Sequence, residues 1–256
     1  MTVSPVINPP QRMGISDLSY PFELPDMRAA VERIKAALLG NEKVLVHGDY
    51  DTDGLTAAAI MVQVLRKIGL DVSYFIPNRM TNGYGFNPAA VHVAKDLGIK
   101  LIITVDCGIS SFDAAAAAKG EGIDVIITDH HEPILFSGLE ATSHKGADPG
   151  PVELLSQSLA RFQVPSAVAV VNPKLRPGSG TSILSGAGIA FKFAQALAMD
   201  EGLCFSKDDC LPLLDLAALG TIADVVPLTG ENRVIIKKGM EYINNAVSKS
   251  FRRTPV

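Results

Sequence analysis

The stretch VLVHGDYDTDG, residues 44–54, joins a short apolar run to a cluster of polar side chains. The apolar run predicts a buried strand, and the glycine at the end of the stretch opens a segment with helical periodicity. Open α/β sheets bind ligands beyond the carboxyl ends of their strands, and there this stretch carries His47, Asp49, Asp51 and Asp53. Three carboxylates at alternate positions repel one another without cations. The stretch therefore indicates a Mg²⁺ or Mn²⁺ site or, alternatively, an aspartate-rich turn that caps a helix.

Outward from this stretch, short runs rich in valine and isoleucine alternate with helical segments. Five such runs are predicted to be buried parallel strands, over residues 43–47, 72–77, 100–105, 124–128 and 167–171. Helices are predicted between the first four of them, over residues 54–68, 87–97 and 111–120. This alternation predicts an α/β fold with an open, mostly parallel sheet flanked by helices. A helical C-terminal portion follows, predicted over residues 186–199, 209–219 and 232–245.

The limits of the domain are indicated by loss of periodicity. Residues 1–26 are rich in proline and aperiodic, and we interpret them as an N-terminal arm on the surface. The domain is predicted to run from residue 27 to residue 256. Periodicity fails again over residues 133–164, which are predicted to be a surface insertion because so long a structureless connection is uncommon inside a compact domain. Within the insertion, residues 153–162 have the composition of a short helix.

Two further predicted strands end in the same kinds of side chain. The third is followed by Asp106, and the fourth by Asp129, His130 and His131. Asp224, in LGTIADVVPL, is either another member of the cluster or a capping residue. Mixed carboxylate and imidazole ligands favour Mn²⁺ over Ca²⁺. Because two such ions can clamp a phosphate and activate a water, the cluster predicts metal-dependent phosphoester hydrolysis.

The composition is that of an ordinary globular protein. The chain has 256 residues, of which 47% are apolar and 20% charged, and this excludes a disordered or fibrous chain. Three cysteines without a CxxC spacing argue against a disulfide framework or a thiolate zinc site and favour a reducing compartment. Because neither a secretory signal nor an uncharged apolar run of spanning length is visible, we predict a cytoplasmic protein without membrane contact.

The net charge of −4 at first argues against a nucleic-acid ligand, because phosphate backbones attract lysine and arginine. The six aspartates of the candidate site contribute −6 and leave +2 for the rest of the chain (−4 + 6). Two bound divalent cations would bring the total to about zero (−4 + 4). The acidic excess is therefore consistent with a metal site, although +2 is not the basic surface of a strong DNA binder.

Four successive motifs resemble those of the DHH phosphoesterase family: HGDYDTDG, VDCGIS, TDHH and GTIADVVPL. The similarity extends from about residue 27 to residue 245 and includes the segments IPNRMTNGYGF, VNPK, LSGAGIAFKFAQAL and ENRVIIKKGMEYIN. The resemblance implies two metal ions, Mn²⁺ or Mg²⁺, bridged by Asp106 and held by His47, Asp51, Asp53, Asp106, His130 and Asp224. It further implies that His131 faces the scissile phosphate. Asp49 and Asp129 would then take part in catalysis either by orienting the ligands or as ligands themselves.

Within this family, the motifs are most similar to those of single-strand-specific 5′→3′ DNA exonucleases, which release nucleoside monophosphates. One alternative is an oligoribonuclease, bisphosphonucleoside phosphatase or pyrophosphatase, although these have a first motif closer to HxxPDxD. Another is a non-catalytic DNA-replication or repair scaffold, although such proteins lose metal ligands. Exonucleases of this kind continue into a second, DHH-associated domain with a GGGH-type motif, which is absent from this sequence. The expected partners are single-stranded DNA and either a chain supplying that domain or a single-strand-binding protein.

Several residues outside the metal motifs carry weaker predictions. Arg79, in the loop NRMTNGYGF, is either a contact to the substrate phosphate or a surface arginine. Residues 185–188 open a predicted helix, and they either offer backbone N–H groups to a phosphate or pack closely through their glycines. Solvated positions are predicted for Lys192, Lys237 and Lys238, and no part in the site for His92 and His144.

Overall fold

The computed structural model describes residues 14–77, 85–135, 162–176 and 178–251 of the chain, with side chains described as far as residue 245. The described residues form strands β1 (Lys43–Gly48), β2 (Asp71–Phe75), β3 (Leu101–Val105), β4 (Asp124–Thr128), β5 (Ile134–Leu135), β6 (Phe162–Gln163) and β7 (Ala169–Val171). Five of them make one parallel sheet in the order β2-β1-β3-β4-β7, and β5 pairs with β6 in an antiparallel ribbon. The predicted open, parallel sheet is confirmed.

Helices flank this sheet and form the C-terminal portion, as predicted. They are α1 (Met27–Leu39), α2 (Thr52–Lys67), α3 (Pro88–Asp96), α4 (Phe112–Gly120), α5 (Gly186–Ala198), α6 (Lys207–Cys210), α7 (Leu214–Ala223) and α8 (Gly230–Phe251). Helix α3 is preceded by Asn87, whose side chain caps it by accepting hydrogen bonds from the N–H groups of Ala89 and Ala90. Among the helices that the structure describes, none combines the length and apolarity needed to cross a bilayer.

Two hydrophobic cores lie on opposite faces of the sheet. In β3, Leu101 and Ile103 belong to the larger core, which also receives residues from α1, α2, α5 and α7. Ile102 belongs to the smaller core, together with residues of α3 and α4. All five residues of β3 are buried, because successive side chains of a strand point to opposite faces and helices cover both. This explains why the strands appear in the sequence as nearly continuous apolar runs.

The strand order places a crevice between β1 and β3. β2 lies on one side of β1, whereas β3 and β4 follow on the other, so the direction of winding reverses there. Gly48 pairs with Val105, which in turn pairs with Thr128. The loops after these three strands therefore begin at one level of the sheet, with Asp49, Asp106 and Asp129 as their first residues. Ligands of open α/β sheets bind at such a point.

The segment predicted as one helix over residues 209–219 is interrupted. The chain forms the short α6, then a 3₁₀ turn at Leu211–Leu213, and then α7. Pro212 lies in that turn and has no backbone N–H to donate within a continuing α-helix. The last helix, α8, is longer than predicted at both ends.

The described part of the N-terminal arm is packed more tightly than the prediction of a surface arm implied. Residues 14–26 include two 3₁₀ turns, at Ile15–Asp17 and Pro21–Glu23, and Leu24 is part of the larger core. The prediction that Lys192 is solvated is wrong, because this α5 residue is 0% exposed. Its Nζ lies 3.2 Å from Oε2 of Glu231 and 3.1 Å from Oγ of Ser19, so it joins the arm to α5 and α8.

The predicted insertion begins and ends in the ribbon formed by β5 and β6. Ile134 pairs with Gln163, and Leu135 with Phe162. Residues 136–161, which include nearly all of the helix predicted over residues 153–162, lie outside the described residues. The ribbon therefore brings the two ends of the insertion together beside the carboxyl end of β4.

Candidate metal centre

The loop after β1 places its aspartates around the first turn of α2. Oδ1 of Asp51 accepts a hydrogen bond from the N–H of Gly54 at 2.9 Å, so the helix-capping turn given as an alternative for this stretch is observed at this residue. Asp51 nevertheless keeps a carboxylate oxygen within 4.8 Å of ligand atoms of Asp49 and Asp106. Asp49 is 2% exposed, and a Cβ added to Gly54 would lie 2.7 Å from its Cβ. The sharp turn from strand to helix therefore depends on the glycine.

Asp53 is buried and held by the N-terminus of α5. Its Oδ2 accepts a hydrogen bond from the N–H of Gly186 at 2.6 Å, and its Oδ1 accepts one from the N–H of Ala187 at 2.9 Å. The amino end of a helix attracts negative charge, so α5 favours a carboxylate at this place. Burial nevertheless raises the pKa of Asp53 above its ordinary value. The start of this helix, residues 185–188, was predicted either to offer its N–H groups to a substrate phosphate or to pack closely. Two of these N–H groups, those of Gly186 and Ala187, donate instead to the side chain of Asp53.

Asp106 lies at the centre of the crevice in a strained conformation. It is 1% exposed, and its φ of 61° is in the left-handed region that side chains other than glycine seldom adopt. Burial raises the pKa of Asp106 far above its ordinary range, and the nearby charge of Asp53 adds to the effect. Oδ1 of Asp106 is buried and makes no hydrogen bond within the described residues. Such a carboxylate requires a cation or a proton.

His130 stands among three carboxylates. Its Nε2 lies 3.1 Å from Oδ1 of Asp106, 3.6 Å from Oδ2 of Asp224 and 4.0 Å from Oδ2 of Asp53. Burial lowers the pKa of His130, so the neutral imidazole with a free lone pair is favoured. Its Nε2 has no hydrogen-bond partner in the described part of the chain. A neutral imidazole nitrogen beside carboxylates is a donor set suited to a divalent cation.

Asp224 is the C-cap of α7, so the capping role left open by the sequence is confirmed for its backbone position. Its side chain is 20% exposed and faces His130, and burial raises its pKa. Oδ2 of Asp224 is buried and makes no hydrogen bond to any described residue. Asp224 therefore caps α7 with its backbone and contributes its side chain to the cluster.

Three groups of three residues in this crevice could each hold a metal ion, because the ligand atoms within a group all lie within 4.8 Å of one another. They are Asp106, His130 and His131; Asp53, His130 and Asp224; and Asp49, Asp51 and Asp106. Asp106 and His130 are each shared by two groups, so the groups are adjacent. Buried polar atoms without partners among the described residues, at Asp106, His130 and Asp224, match what divalent cations would satisfy. The residues present therefore fit a metal centre.

His47 is placed differently from the other predicted ligands. It is 0% exposed at the end of β1 and belongs to none of the three groups formed by described residues. Burial lowers the pKa of His47 to about 4, which leaves the imidazole neutral. Its ring contacts Phe75 and Phe86, at centroid distances of 5.6 and 5.3 Å, and its Nδ1 lies 3.6 Å from Sγ of Cys107. Nε2 of His47 is buried without a hydrogen bond to a described residue, so it remains a candidate ligand.

Asp129 and His131 form a pair at the mouth of the cluster. Oδ1 of Asp129 accepts from the N–H of His131 at 3.0 Å and lies 2.7 Å from its Nδ1, while Oδ2 accepts from the N–H of Ile109 at 2.9 Å. The hydrogen bond that His131 donates to Asp129 raises the pKa of His131 to about 9. Burial alone would raise the pKa of Asp129, but the hydrogen bonds from His131 and Ile109 lower it. Asp129 therefore orients a charged His131, whose side chain is 45% exposed.

Sequence reasoning missed Asn172, which lies directly behind this pair. Its side chain is fully buried and donates from Nδ2 to the backbone oxygen of His131 at 2.9 Å. The residue belongs to the VNPK segment, which was noted for its resemblance without a role for any of its side chains. A buried amide that follows the carboxyl end of an apolar strand is the signal that points to it.

Arg79 lies outside the described residues, so its contact to a substrate phosphate stays a prediction.

For residues 185–188, the close packing predicted as one alternative is observed. A Cβ added to Gly186 would lie 2.5 Å from Oδ1 of Asp106, and the N–H of Gly188 donates to the side chain of Ser185. The backbone of α5 thus touches the cluster directly.

This approach gives a first testable prediction. We expect Gly186→Ala to weaken Mn²⁺ binding by about 10–100-fold, because the added methyl group must displace the carboxylate of Asp106. Isothermal titration calorimetry measures the effect. The matched control is Gly120→Ala at the end of α4, where no described atom lies within 4 Å of the added Cβ. Equal affinity in the two variants would contradict the close approach of α5.

An open α/β domain with a carboxylate and imidazole cluster at its winding reversal has the features of a domain that binds divalent cations. Residues 43–144 match the sequence profile of the "DHH family, N-terminal domain". The chain belongs to the DHH family.

Sequence and structure comparisons identify similar proteins within this family. The chain is 41% identical over 230 residues to the single-stranded-DNA-specific exonuclease RecJ of Bacillus subtilis, covering 88% of this chain and 24% of that protein. It matches a crystal structure of exonuclease RecJ bound to manganese with a TM-score of 0.67 and 36% identity, over 85% of this chain and 48% of that one. RecJ from Thermus thermophilus in complex with Mn²⁺ matches with a TM-score of 0.63 and 34% identity, over 85% and 27% of the respective chains. The chain thus spans a minor part of the length of its curated relatives.

Proposed function

We propose that this domain hydrolyses phosphodiester bonds with two divalent cations, Mn²⁺ or Mg²⁺. The proposed activity is that of a 5′→3′ exonuclease on single-stranded DNA that releases nucleoside monophosphates. The observation that carries the proposal is the set of buried ligand atoms of Asp106, His130 and Asp224 that have no hydrogen-bond partner among the described residues. The similarity to RecJ proteins, some of them with Mn²⁺ bound, supports the substrate and the metal.

The proposed roles follow the geometry of the crevice. We assign as metal ligands His47, Asp51, Asp53, Asp106, His130 and Asp224. Asp106 fits a bridging position because it belongs to two adjacent groups of ligand atoms. Asp49, in one of these groups, supports the same cluster from the loop after β1. Divalent cations bound here would polarise the phosphate and lower the pKa of a bound water.

His131 is proposed to meet the scissile phosphate. Its Nδ1 is engaged by Asp129, and the raised pKa of about 9 keeps the imidazole protonated at neutral pH. The imidazolium therefore presents a positive charge and a donor at Nε2 beside the cluster, which favours a phosphate oxygen over a neutral group. Asp129 acts as a positioning residue, because both of its oxygens are engaged by His131 and Ile109.

This pairing gives a second prediction. We expect Asp129→Asn to lower kcat by about 10–100-fold and to lower the pKa of His131 towards its ordinary value, because the anionic acceptor at Nδ1 is lost. Steady-state kinetics and NMR titration of the imidazole measure the two effects. Asp113→Asn, in the first turn of α4, is a control that removes a carboxylate away from this pair. An unchanged pKa of His131 in Asp129→Asn would contradict the assignment.

The proposed function is tested by comparing three substrates with Mn²⁺ or Mg²⁺ present. These are a labelled single-stranded oligonucleotide with a 5′-phosphate, a dinucleotide and inorganic pyrophosphate. We expect mononucleotides to appear from the 5′ end of the oligonucleotide and the matching duplex to be degraded more slowly. Preferential turnover of the dinucleotide or pyrophosphate would replace the proposal by that of a small-substrate phosphatase.

The same assay, combined with calorimetry, distinguishes the proposed exonuclease from a non-catalytic scaffold. If Mn²⁺ binds and none of the three substrates is hydrolysed, the chain holds the metal without exonuclease activity. Partners beyond single-stranded DNA, such as a chain that supplies a further domain or a single-strand-binding protein, are proposed on the resemblance alone. Addition of such a chain is expected to increase oligonucleotide turnover.

A further inference from the structure

The backbone oxygen of His131 is held by a residue at the end of another strand. Asn172 directly follows β7, and its Nδ2 donates to the backbone oxygen of His131 at 2.9 Å. Its Oδ1 accepts from the N–H of Lys174 at 2.9 Å. Both ends of this amide are therefore used, in a position that is 0% exposed. Asn172 lies beyond residues 43–144, the span that matches the DHH family profile.

Together with Asp129, this contact fixes His131 from several sides. Asp129 accepts from the backbone N–H of His131 and binds its ring at Nδ1, while Asn172 donates to its carbonyl oxygen. The N–H of Asp129 also donates to the backbone oxygen of Val171 at 3.1 Å, so the turn continues the pairing of β4 with β7. The backbone of His131 thus has a partner on each side, and Nε2 is the ring nitrogen left to face the crevice.

The chemistry of this position requires an amide of this length. A donor is needed for the carbonyl of His131 and an acceptor for the N–H of Lys174, and asparagine supplies both from one planar group. Aspartate is isosteric but has no donor when ionised, and alanine has neither function. Because the amide is buried, loss of the donor also leaves the carbonyl oxygen of His131 without a partner.

The support behind His131 depends on a short pairing. β7 is an edge strand and pairs with β4 over only three residues. The N–H of Val170 turns away from β4 and donates to Oδ2 of Asp26, which holds the outer side of the edge. Beyond the end of this pairing, the bond from Asn172 to His131 ties the two strand ends together by a side chain. Small shifts of β7 are therefore transmitted to His131 through Asn172.

We propose that Asn172 is a positioning residue for phosphodiester hydrolysis and acts through His131. The inference rests on the proposed function of this site. Asn172 makes no described hydrogen bond to a candidate ligand atom, since its side-chain bonds go to the backbone of His131 and Lys174. Its effect is therefore on the placement of the imidazole relative to the phosphate and not on the affinity for metal.

The first test compares Asn172→Ala and Asn172→Asp with the wild type on a 5′-phosphorylated single-stranded oligonucleotide. We expect kcat to fall by about 10–100-fold in both variants, with the Mn²⁺ dissociation constant unchanged within about twofold. The matched control is Arg33→Gln, which removes the bond to Asp124 at the opposite end of β4. This control loosens the same strand without touching His131. A loss of kcat in the control equal to that in Asn172→Ala would overturn the proposal.

A double-mutant cycle separates positioning from a general effect on the fold. If Asn172 acts through His131, adding Asn172→Ala to His131→Ala lowers kcat no further. Losses that multiply in the double variant would mean that Asn172 acts by another route, and the proposal would be wrong. A bis(p-nitrophenyl) phosphate assay repeats the cycle on a phosphodiester without a nucleobase.

A readout without turnover keeps the test independent of the proposed function. NMR of the imidazole in metal-free protein is expected to show one set of His131 signals in the wild type and shifted or broadened signals in Asn172→Asp. Identical His131 spectra would overturn the positioning role whatever the activity. If the wild type hydrolyses neither substrate while the spectra differ as expected, the proposed function fails and the contact between Asn172 and His131 stands.

Discussion

Replacing Asp106 with alanine is expected to lower the affinity for Mn²⁺ and the rate of phosphodiester hydrolysis by at least about 100-fold each. Changes to residues that merely support metal ligands cost about 10–100-fold, and Asp106 is proposed as a ligand to both ions. It is shared by two of the three groups of ligand atoms, so its loss leaves each of them with two residues. No other described carboxylate is placed to restore both groups.

The effect of this substitution on the fold is expected to be small or favourable. Asp106 is buried and has an oxygen without a partner among the residues described, while its positive φ is retained by alanine. Removing this carboxyl group also removes the desolvation cost of its burial, which is the main cause of its raised pKa. Loss of metal binding can therefore be measured in a protein that remains folded, which circular dichroism verifies.

The measurement is isothermal titration of metal-free protein with Mn²⁺, followed by the oligonucleotide assay. Asp113→Ala, in the first turn of α4, is the control for removing an aspartate elsewhere in the domain. Heats of equal size in wild type and Asp106→Ala would refute the assigned centre.

Replacing Lys192 with alanine is expected to lower the free energy of unfolding by about 3–5 kcal/mol, the usual effect of breaking a buried ion pair. The substitution removes the cation from a fully buried site and leaves Glu231, of which 7% of the side chain is exposed, without its charge partner. It also removes the hydrogen bonds from Nζ to the oxygen atoms of Ser19. Urea unfolding of the metal-free protein measures the change.

A surface pair in α8, the helix that carries Glu231, provides the control. Lys238 forms an ion pair with Glu241 at 2.8 Å, and Lys238→Ala is expected to cost less than about 1 kcal/mol because exposed pairs contribute little. The double variant Lys192→Met and Glu231→Leu is expected to recover much of the stability, since apolar replacements of a buried pair are often tolerated. Equal losses for Lys192→Ala and Lys238→Ala would show that the buried pair is unimportant.

The sequence predicts well those parts of the molecule that are determined by neighbouring residues and that recur along the chain, such as buried strands and the residues that follow them. The five strands of the parallel sheet were recognisable because both faces of β3 and its neighbours are covered, which makes apolar runs continuous. Aspartate or histidine at the ends of β1, β3 and β4 followed directly, because parallel strands bring their carboxyl ends to one edge. The residue that follows β7, Asn172, is an amide and not an aspartate or histidine, so this pattern did not point to it although it supports the site.

The parts that the sequence did not predict depend on contacts between distant segments. Lys192 lies within a helical pattern that gives no sign of a buried partner, and Glu231 and Ser19 come from opposite ends of the chain. The bonds from Gly186 and Ala187 to Asp53 likewise connect segments more than a hundred residues apart. The break before α7 was missed although Pro212 is visible in the sequence, because the apolar periodicity continues through it.

The crowding of carboxylates in the crevice has a consequence for the measured energetics of metal binding. Burial raises the pKa of Asp53, Asp106 and Asp224, and that of Asp106 reaches about 10, so the metal-free folded domain retains at neutral pH a proton on Asp106 that the unfolded chain would release. Above the pH at which unfolded aspartates ionise, their contribution to stability therefore falls as pH rises through the raised pKa values.

Cations and these protons compete for the same oxygen atoms, so metal binding is a proton-exchange reaction. We expect Mn²⁺ affinity to increase with pH between about 6 and 8, and the calorimetric enthalpy to differ between two buffers of unlike ionisation heat at the same pH. Identical enthalpies in the two buffers would show that no protons leave. If they do leave, an acidic solution acts on this domain as a chelator does, by returning its aspartates to the neutral form.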